Sequence, residues 1–165
     1  PNKGIEAHGG FTYCSIACLS LLGKLNEVDL NILIRWLSSR QMPYSGGFNG
    51  RTNKLVDTCY TWWIGASCAM IEDFIDASFW NKGAIASYVL RTCQSESGGL
   101  FDKPGKEPDQ FHTAYGLGGL AVCCSDVVQA QYCTYLQKVD PRYGVTYQGV
   151  ENARFYFSEP LQRSS

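Results

Sequence analysis

Three double-glycine motifs divide the chain into similar units, and this internal repeat constrains the fold more than any other feature of the sequence. The motifs are HGGF at 8–11, SGGF at 45–48 and SGGL at 97–100. Each motif is followed, directly or after a polar loop, by an apolar segment with helical spacing. Units of this kind bury their apolar faces by stacking on their neighbours. The sequence therefore predicts an all-α array of helix pairs.

Apolar spacing predicts two helices in each unit. The first helix is expected to bury one face and to stop at Gly23. That face comprises Cys14, Ala17, Cys18, Leu21 and Leu22. Asp29 is the expected N-cap of a second helix, which runs to Arg40 and ends before Pro43. In the later units, the expected helices cover 58–71, 78–93, 111–124 and 125–137.

The length of 165 residues is sufficient for one domain with a sizeable core. From about residue 138 onwards, we expect an irregular or strand-like tail. The chain starts with the loop-like sequence PNKG rather than with Met. We therefore expect residues 1–165 to be the C-terminal portion of a larger polypeptide.

Charge and hydropathy exclude several classes of protein. The formal net charge is −1, so there is no global positive field that would favour a nucleic-acid partner. No apolar run approaches the roughly 18 to 20 residues that span a bilayer, and the first residues do not have the pattern of a signal peptide. The sequence predicts a soluble, cytoplasmic protein that is not an integral membrane protein.

The eight cysteines are interpreted mainly as reduced core residues rather than as a disulfide framework. Five of them lie in apolar, helix-like runs where small apolar side chains are usual. These five are Cys14, Cys18, Cys68, Cys123 and Cys124.

The segments that begin the second and third units can be overlaid as VDTCYTWWIG on PDQFHTAYGL. Asp57 then coincides with Asp109, and Tyr60 coincides with His112. Equivalent helix N-termini of neighbouring repeats converge on the axis if the repeats curve into a ring. The overlay therefore predicts that Asp57, Cys59 and His112 meet.

A carboxylate, a thiolate and an imidazole are ordinary zinc ligands, and three protein ligands with an open fourth position are typical of a catalytic site. Asp57, Cys59 and His112 could form such a site. In the alternative interpretation, Asp57 caps a helix and Cys59 is a core residue. His112 is then an ordinary hydrogen-bonded residue in the first turn of a helix. On residue types alone, both interpretations stay open.

Two cations, Arg51 and Lys54, lie three residues apart in a glycine-containing loop just before a helix N-terminus. A phosphate or diphosphate there would meet both positive side chains and the helix dipole. Lys103 and Lys106 form a second pair at the matching place in the third unit, with solvated loop lysines as the alternative. His8 lies at the first double-glycine motif.

Aromatic side chains cluster at the same helix starts. These residues are Phe11, Tyr13, Tyr60, Trp62, Trp63, Phe111 and Tyr115. Some of them are expected in the core, and a pocket lined by the rest would suit an apolar chain attached to a diphosphate.

The stretches EAHGGFTYC, GGFNGRTNKLVDTCYTWW and GGLFDKPGKEPDQFHTAYGL resemble the β subunits of protein prenyltransferases. The resemblance covers nearly all of residues 5–124 and is highly specific. Within that family, SSRQM, GGFNGRTNKLVD and GGLFDKPGK look most like the farnesyltransferase branch. The type I geranylgeranyl branch lacks the DKPGK run, and the Rab branch usually lacks a lysine at the position of Lys106.

The resemblance implies an α/α barrel, or toroid, of helical-hairpin repeats around an apolar funnel, in a heterodimer with a prenyltransferase α subunit. It implies transfer of farnesyl from farnesyl diphosphate to the cysteine of proteins that end in a CaaX motif. Asp57, Cys59 and His112 match the Zn²⁺ ligands, and the open position takes the peptide thiol. Asp102 matches a carboxylate that supports Mg²⁺ on the diphosphate.

Further roles follow from the resemblance, position by position. The residues that match diphosphate-binding positions are His8, Arg51, Lys54, Tyr60 and Lys106, and Tyr60 also counts among the catalytic residues. Phe11, Cys14 and Trp63 match residues of the isoprenoid pocket. Phe111 matches a residue that contacts the peptide, at a position where the farnesyl enzyme usually has tyrosine.

Other functions compete with farnesyl transfer. A geranylgeranyltransferase β subunit, of type I or of the Rab class, is one alternative. A non-catalytic helical-repeat binding module is another, if the N-terminal half is absent from the mature chain. A terpene-cyclase-like barrel has no support, because no DxDD motif is present. Since 165 residues do not complete a barrel, we expect the fragment alone to be inactive.

Overall fold

The computed structural model describes residues 4–123 and 136–158, and within them the chain is mainly helical. The helices of this part are α1 (Gly9–Leu21), α2 (Leu30–Ser38), α3 (Tyr60–Ile75), α4 (Lys82–Thr92), α5 (Gln110–Cys123) and α6 (Tyr147–Ser158). Two short antiparallel hairpins pair β1 (Leu100–Phe101) with β2 (Pro108–Asp109) and β3 (Val139–Asp140) with β4 (Val145–Thr146). None of these helices combines the length and apolar character needed to cross a bilayer. The helix expected over 125–137 falls largely outside the described residues.

The helices form two layers. Helix α3 packs between α1 and α5, while α2 packs against α3 and α4 packs against α5. This is the arrangement expected for stacked helix pairs, and it confirms the all-α prediction.

Helix α3 is the centre of the core because most of its side chains are buried. Ile64, Cys68 and Ile71 are fully buried and join one apolar cluster with Phe48 of the preceding loop. The helix ends at Ile75, four residues beyond the predicted end at residue 71. The next residue, Asp76, adopts a left-handed conformation with φ of 52° and terminates the helix.

The predicted buried face of α1 is wrong, because only Ala17 of that set is buried. Leu21 and Leu22 are 49% and 63% exposed, and Cys14 and Cys18 are also exposed. The helix contacts α3 through a neighbouring stripe that includes Ile16. Since α1 is apolar around most of its circumference, its spacing alone does not select the face that packs.

The cysteine interpretation holds for Cys68 and Cys123, which are buried and form no disulfide, and is wrong for Cys14 and Cys18, which are exposed. None of the cysteines in the described ranges forms a disulfide. Cys124 lies outside those ranges.

Capping side chains set the starts of the outer helices. The Oδ1 atom of Asp29 accepts from the Ile32 amide at 3.1 Å, so the predicted N-cap of α2 is confirmed. Asn81 caps α4 in the same way through the Ala84 amide at 2.9 Å. Because this cap fixes the first turn, α4 begins at Lys82, four residues later than predicted.

The double-glycine motifs serve two different purposes. In the first motif, Gly9 opens α1 directly. In the other two motifs, Gly46, Gly98 and Gly99 have φ values of 78°, 97° and 82° and make tight turns before loops. The sequence repeat is therefore a repeat of helix positions, with loops of different length inserted after the glycines.

The expectation of an irregular or strand-like tail from about residue 138 is confirmed for Val139–Thr146 and is wrong for Tyr147–Ser158. The β3–β4 hairpin is followed there by the three-turn helix α6. Only Val150 of α6 is buried, so the helix has no long apolar stripe to reveal it in the sequence. Thr146, whose Oγ1 accepts from the Gly149 amide at 3.1 Å, is the capping signal that marks its start.

The close contact between α3 and α5 predicts a large effect of Gly119→Ala. An added Cβ at Gly119 would lie 2.4 to 2.6 Å from the Thr61 backbone, so the two helices must separate. We expect the free energy of unfolding, measured by urea denaturation, to fall by about 1 to 3 kcal/mol. Gly83→Ala is the control, because its nearest neighbour is the Asn81 side chain at 3.6 Å and alanine favours helix. Equal stability of the two variants would contradict the assigned contact.

Candidate metal centre and anion site

The N-termini of α1, α3 and α5 meet at one end of the structure. The Gly9 amide at the start of α1 donates to the Gly50 carbonyl at 2.8 Å. The Thr58 amide, just before α3, donates to the Asp102 carbonyl at 2.9 Å, and its hydroxyl donates to the same carbonyl at 3.0 Å. These bonds tie the loops that follow the second and third double-glycine motifs to the helix starts.

Asp57, Cys59 and His112 come together at this end. One ligand atom from each residue lies within 4.8 Å of the others, and Nε2 of His112 is 3.4 Å from Oδ1 of Asp57. Metal–ligand bonds of about 2.0 to 2.1 Å place two tetrahedral ligands about 3.3 Å apart. The predicted meeting of these three residues is confirmed, and the donor set of carboxylate, thiolate and imidazole fits Zn²⁺.

Two equivalent aspartates build the first turns of α3 and α5. Asp57 accepts from the Cys59 amide at 2.8 Å, and Asp109 accepts from the Phe111 amide at the same distance. Asp109 also contacts the ring of His112, with 2.5 Å between Oδ2 and Nδ1. Sequence reasoning paired the two aspartates but gave Asp109 no role, although the overlay on Asp57 was the available signal.

The environment of Cys59 disfavours its thiolate. Burial raises the pKa of this thiol well above its usual range, and the hydrogen bond and negative charge of Asp57 raise it further. A thiolate therefore needs a compensating positive charge. A divalent cation between Asp57, Cys59 and His112 would supply that charge.

His8 and Tyr60 form a hydrogen-bonded pair beside this cluster. Nδ1 of His8 accepts from the Gly10 amide at 3.1 Å, which assigns the ring proton to Nε2. Nε2 lies 3.0 Å from the Tyr60 hydroxyl and therefore donates to it. Burial, followed by the nearby charges of Cys59 and Asp57, raises the pKa of Tyr60 to about 12, so its hydroxyl keeps its proton at neutral pH.

A cavity of about 310 Å³ adjoins the cluster. Its lining residues are His8, Arg51, Lys54, Leu55, Asp57, Tyr60 and Lys103. Arg51 also forms an exposed ion pair with Glu6 at 3.1 Å. Lys106 is exposed and is not part of this lining, whereas Lys103 is. The cavity therefore combines three cationic side chains with the proposed metal ligand Asp57.

Asp102 lies close to the same helix start. Its carboxylate pairs with Lys103, and its Oδ1 atom is buried without a hydrogen-bond partner. An orphaned carboxylate oxygen is a natural ligand for a hard cation such as Mg²⁺. This arrangement fits the role that the sequence resemblance gives to Asp102.

Apolar side chains lie on the same helices as the candidate site. Phe11 is 60% exposed and its ring centroid lies 5.6 Å from that of His8, while Cys14 on the same helix is also exposed. The half-buried Trp63 packs on Tyr115, with 4.6 Å between ring centroids. Phe111, next to His112, is 63% exposed. The structure thus places apolar surface beside the cations and the metal ligands.

Comparison with known proteins identifies similar sequences and structures. The model of the prenyltransferase alpha-alpha toroid domain matches residues 1–145. The chain is 46% identical over 129 residues to the protein farnesyltransferase subunit beta of Schizosaccharomyces pombe, covering 73% of this chain and 34% of that protein. It is 40% identical over 126 residues to the geranylgeranyl transferase type-1 subunit beta of Arabidopsis thaliana, covering 68% and 32%. The chain spans about a third of the length of these relatives.

Among solved structures, the chain resembles Candida albicans protein geranylgeranyltransferase-I complexed with GGPP. The TM-score is 0.75 at 32% identity, and the match covers 90% of this chain and 43% of that one. The packing of the helix pairs, the family-model match and the similar proteins all indicate the same fold. The α/α toroid predicted from the sequence is confirmed, and the chain belongs to the prenyltransferase alpha-alpha toroid family.

Proposed function

We propose that this chain provides the metal centre and the diphosphate-binding wall of a protein farnesyltransferase β subunit. In this proposal, the subunit acts with an α subunit and transfers farnesyl from farnesyl diphosphate to the cysteine thiol of a C-terminal CaaX motif. The observation that carries it is the cluster of Asp57, Cys59 and His112 beside a cationic cavity. Such a juxtaposition suits a reaction that joins a sulfur nucleophile to a carbon activated by diphosphate.

Asp57, Cys59 and His112 would hold Zn²⁺ in this enzyme. When bound, the ion would lower the pKa of the substrate thiol, so that a thiolate is available at neutral pH. The three side chains also fix where that sulfur lies relative to the cavity. Positioning of this kind contributes to the rate because the reacting atoms need not be brought together by diffusion.

The cations of the cavity would stabilise the leaving diphosphate. As the C1–O bond of the isoprenoid breaks and the C–S bond forms, negative charge grows on the diphosphate, and Arg51, Lys54 and Lys103 lie where they can offset it. Because His8 donates to the Tyr60 oxygen, the Tyr60 hydroxyl proton is left to donate to a phosphate oxygen. The unpartnered oxygen of Asp102 would support Mg²⁺ on the same group.

The apolar residues beside the centre would bind the remaining parts of the substrates. Phe11, Cys14 and Trp63 are proposed to line the isoprenoid pocket, and the exposed Phe111 is proposed to contact the peptide. Lys106 is proposed as a further diphosphate ligand, which requires its exposed side chain to reach the cavity from outside.

Geranylgeranyl transfer is the second candidate function. It is supported by the 40% identity to a geranylgeranyl transferase type-1 subunit beta and by the similarity to a structure complexed with GGPP. The 46% identity to a farnesyltransferase subunit beta favours farnesyl. The lengths of the two isoprenoids differ, so the depth of the apolar pocket decides between them.

Transfer assays with a β chain that contains these residues, assembled with its α subunit, test the proposal. We expect transfer to a CaaX peptide to be at least about tenfold faster with farnesyl diphosphate than with geranylgeranyl diphosphate. The opposite preference would establish the second candidate. An assembled heterodimer that transfers neither group would refute both, and transfer by the 165 residues alone would show that the partner is not required.

Cys59→Ala should abolish high-affinity zinc binding while isoprenoid diphosphate binding persists. In the unmodified chain, the pKa of the Cys59 thiol is raised, so zinc must displace a proton from this thiol when it binds. Zinc affinity of the unmodified chain should therefore increase with rising pH. Elemental analysis and chelator competition measure the metal. Cys18→Ala, which removes an exposed thiol outside both the cluster and the proposed isoprenoid pocket, is the control. Zinc retained by the Cys59 variant at full affinity would refute the ligand assignment.

Arg51→Ala should weaken isoprenoid diphosphate binding by about 1.5 to 3 kcal/mol, or about 10- to 150-fold, because a charged hydrogen bond to phosphate is lost. Zinc content should not change. Arg35→Ala on α2 removes an exposed arginine that does not line the cavity, and it should leave both unchanged. Calorimetric titration with farnesyl diphosphate measures the difference, and equal affinities of the two variants would exclude Arg51 from the anion site.

A further inference from the structure

We propose that Asp109 is a positioning residue of the metal centre, which fixes the ring of His112 so that Nε2 faces the ion. This inference rests on the proposed metal centre and deepens it. It concerns a residue that supplies no ligand atom to the cluster of Asp57, Cys59 and His112.

The carboxylate of Asp109 is held at both oxygens. Oδ1 accepts from the Phe111 amide at 2.8 Å and from the His112 amide at 2.9 Å. Oδ2 lies 2.5 Å from Nδ1 of His112. The first two bonds anchor the carboxylate to the first turn of α5, so the third bond fixes the ring relative to the backbone.

This hydrogen bond determines which nitrogen is available to a metal. A carboxylate beside Nδ1 favours the tautomer with the proton on Nδ1, which leaves the lone pair on Nε2. Nε2 lies 3.4 Å from Oδ1 of Asp57, on the side where the ligand atoms gather. Without Asp109, the ring of His112 could rotate or carry its proton on Nε2, and both changes compete with metal binding.

Asp109 is not placed to act as a fourth ligand. It contacts Nδ1, and the two imidazole nitrogens direct their lone pairs or protons away from each other. A group bound at Nδ1 therefore lies on the opposite side of the ring from an ion at Nε2. The role of Asp109 toward the ion passes through His112.

Asp57 and Asp109 occupy equivalent positions in the repeat but contact different side chains. Both aspartates accept from the amide two residues later, at 2.8 Å. After Asp57 that residue is Cys59, and the carboxylate and the thiol both offer ligand atoms to the proposed metal centre. After Asp109 it is Phe111, and the free carboxylate oxygen reaches His112 one position further on.

Asp109→Asn separates positioning from capping. The asparagine carbonyl can still accept from the two backbone amides, but its NH₂ group cannot accept a proton from Nδ1 of His112. Asp29→Asn, which alters the equivalent cap of α2 away from the centre, is the matched control. Three properties of the full chain are measured. They are the zinc affinity by chelator competition, the visible spectrum of the Co²⁺ form, and the thermal unfolding of the metal-free protein.

We expect Asp109→Asn to weaken zinc binding about 10- to 100-fold and to change the Co²⁺ ligand-field bands, with unfolding of the metal-free protein unchanged. Asp29→Asn should match the unmodified chain in affinity and spectrum. Unaltered affinity and spectrum in Asp109→Asn would overturn the proposal and reduce Asp109 to a helix cap. If the unmodified chain itself binds neither Zn²⁺ nor Co²⁺, the metal centre is refuted, and this inference with it.

Discussion

The close approach of α5 to α3 is the constraint on which the site depends. Gly119 lies at this contact, where a Cβ would come within about 2.4 Å of the Thr61 backbone, and Gly116 lies beside it, where a Cβ would meet the side chains of Leu100 at 2.4 Å and Thr58 at 2.9 Å. With these glycines, the helices pack closely enough for ligands from two repeats to share one ion. The distance of 3.4 Å between His112 and Asp57 at the helix starts is therefore a consequence of packing further along the same helices.

Helix capping and the proposed metal centre share carboxylates at this end of the protein. A carboxylate at a helix N-terminus satisfies free backbone amides, and the amides in turn hold the carboxylate in one orientation. Asp57 and Asp109 gain that rigidity from the polypeptide itself, before any ion binds. In the proposed function, the cationic loop that contains Arg51 and Lys54 would add an anion site beside side chains that already have a fixed geometry.

The repeat made the helix pairs and the metal cluster predictable, because equivalent positions in equivalent units determine which helix ends meet. The face of α1 was not predictable, since the helix is apolar on several sides and only its contact with α3 selects one. Helix α6 was missed because a largely exposed helix has little apolar periodicity. The ring contact of Asp109 depends on a side-chain direction that no spacing encodes.

The ligands of the proposed metal centre come from two successive repeats, and this has a consequence for the stability of the fold. An ion held there would act as a non-covalent cross-link between the starts of α3 and α5. If the ion binds only when the two helix starts are together, it stabilises that arrangement. The free energy needed to separate the helices would then increase with the logarithm of the free metal concentration. The stability of the contact between the starts of α3 and α5 would then depend on the free zinc concentration as well as on side-chain packing.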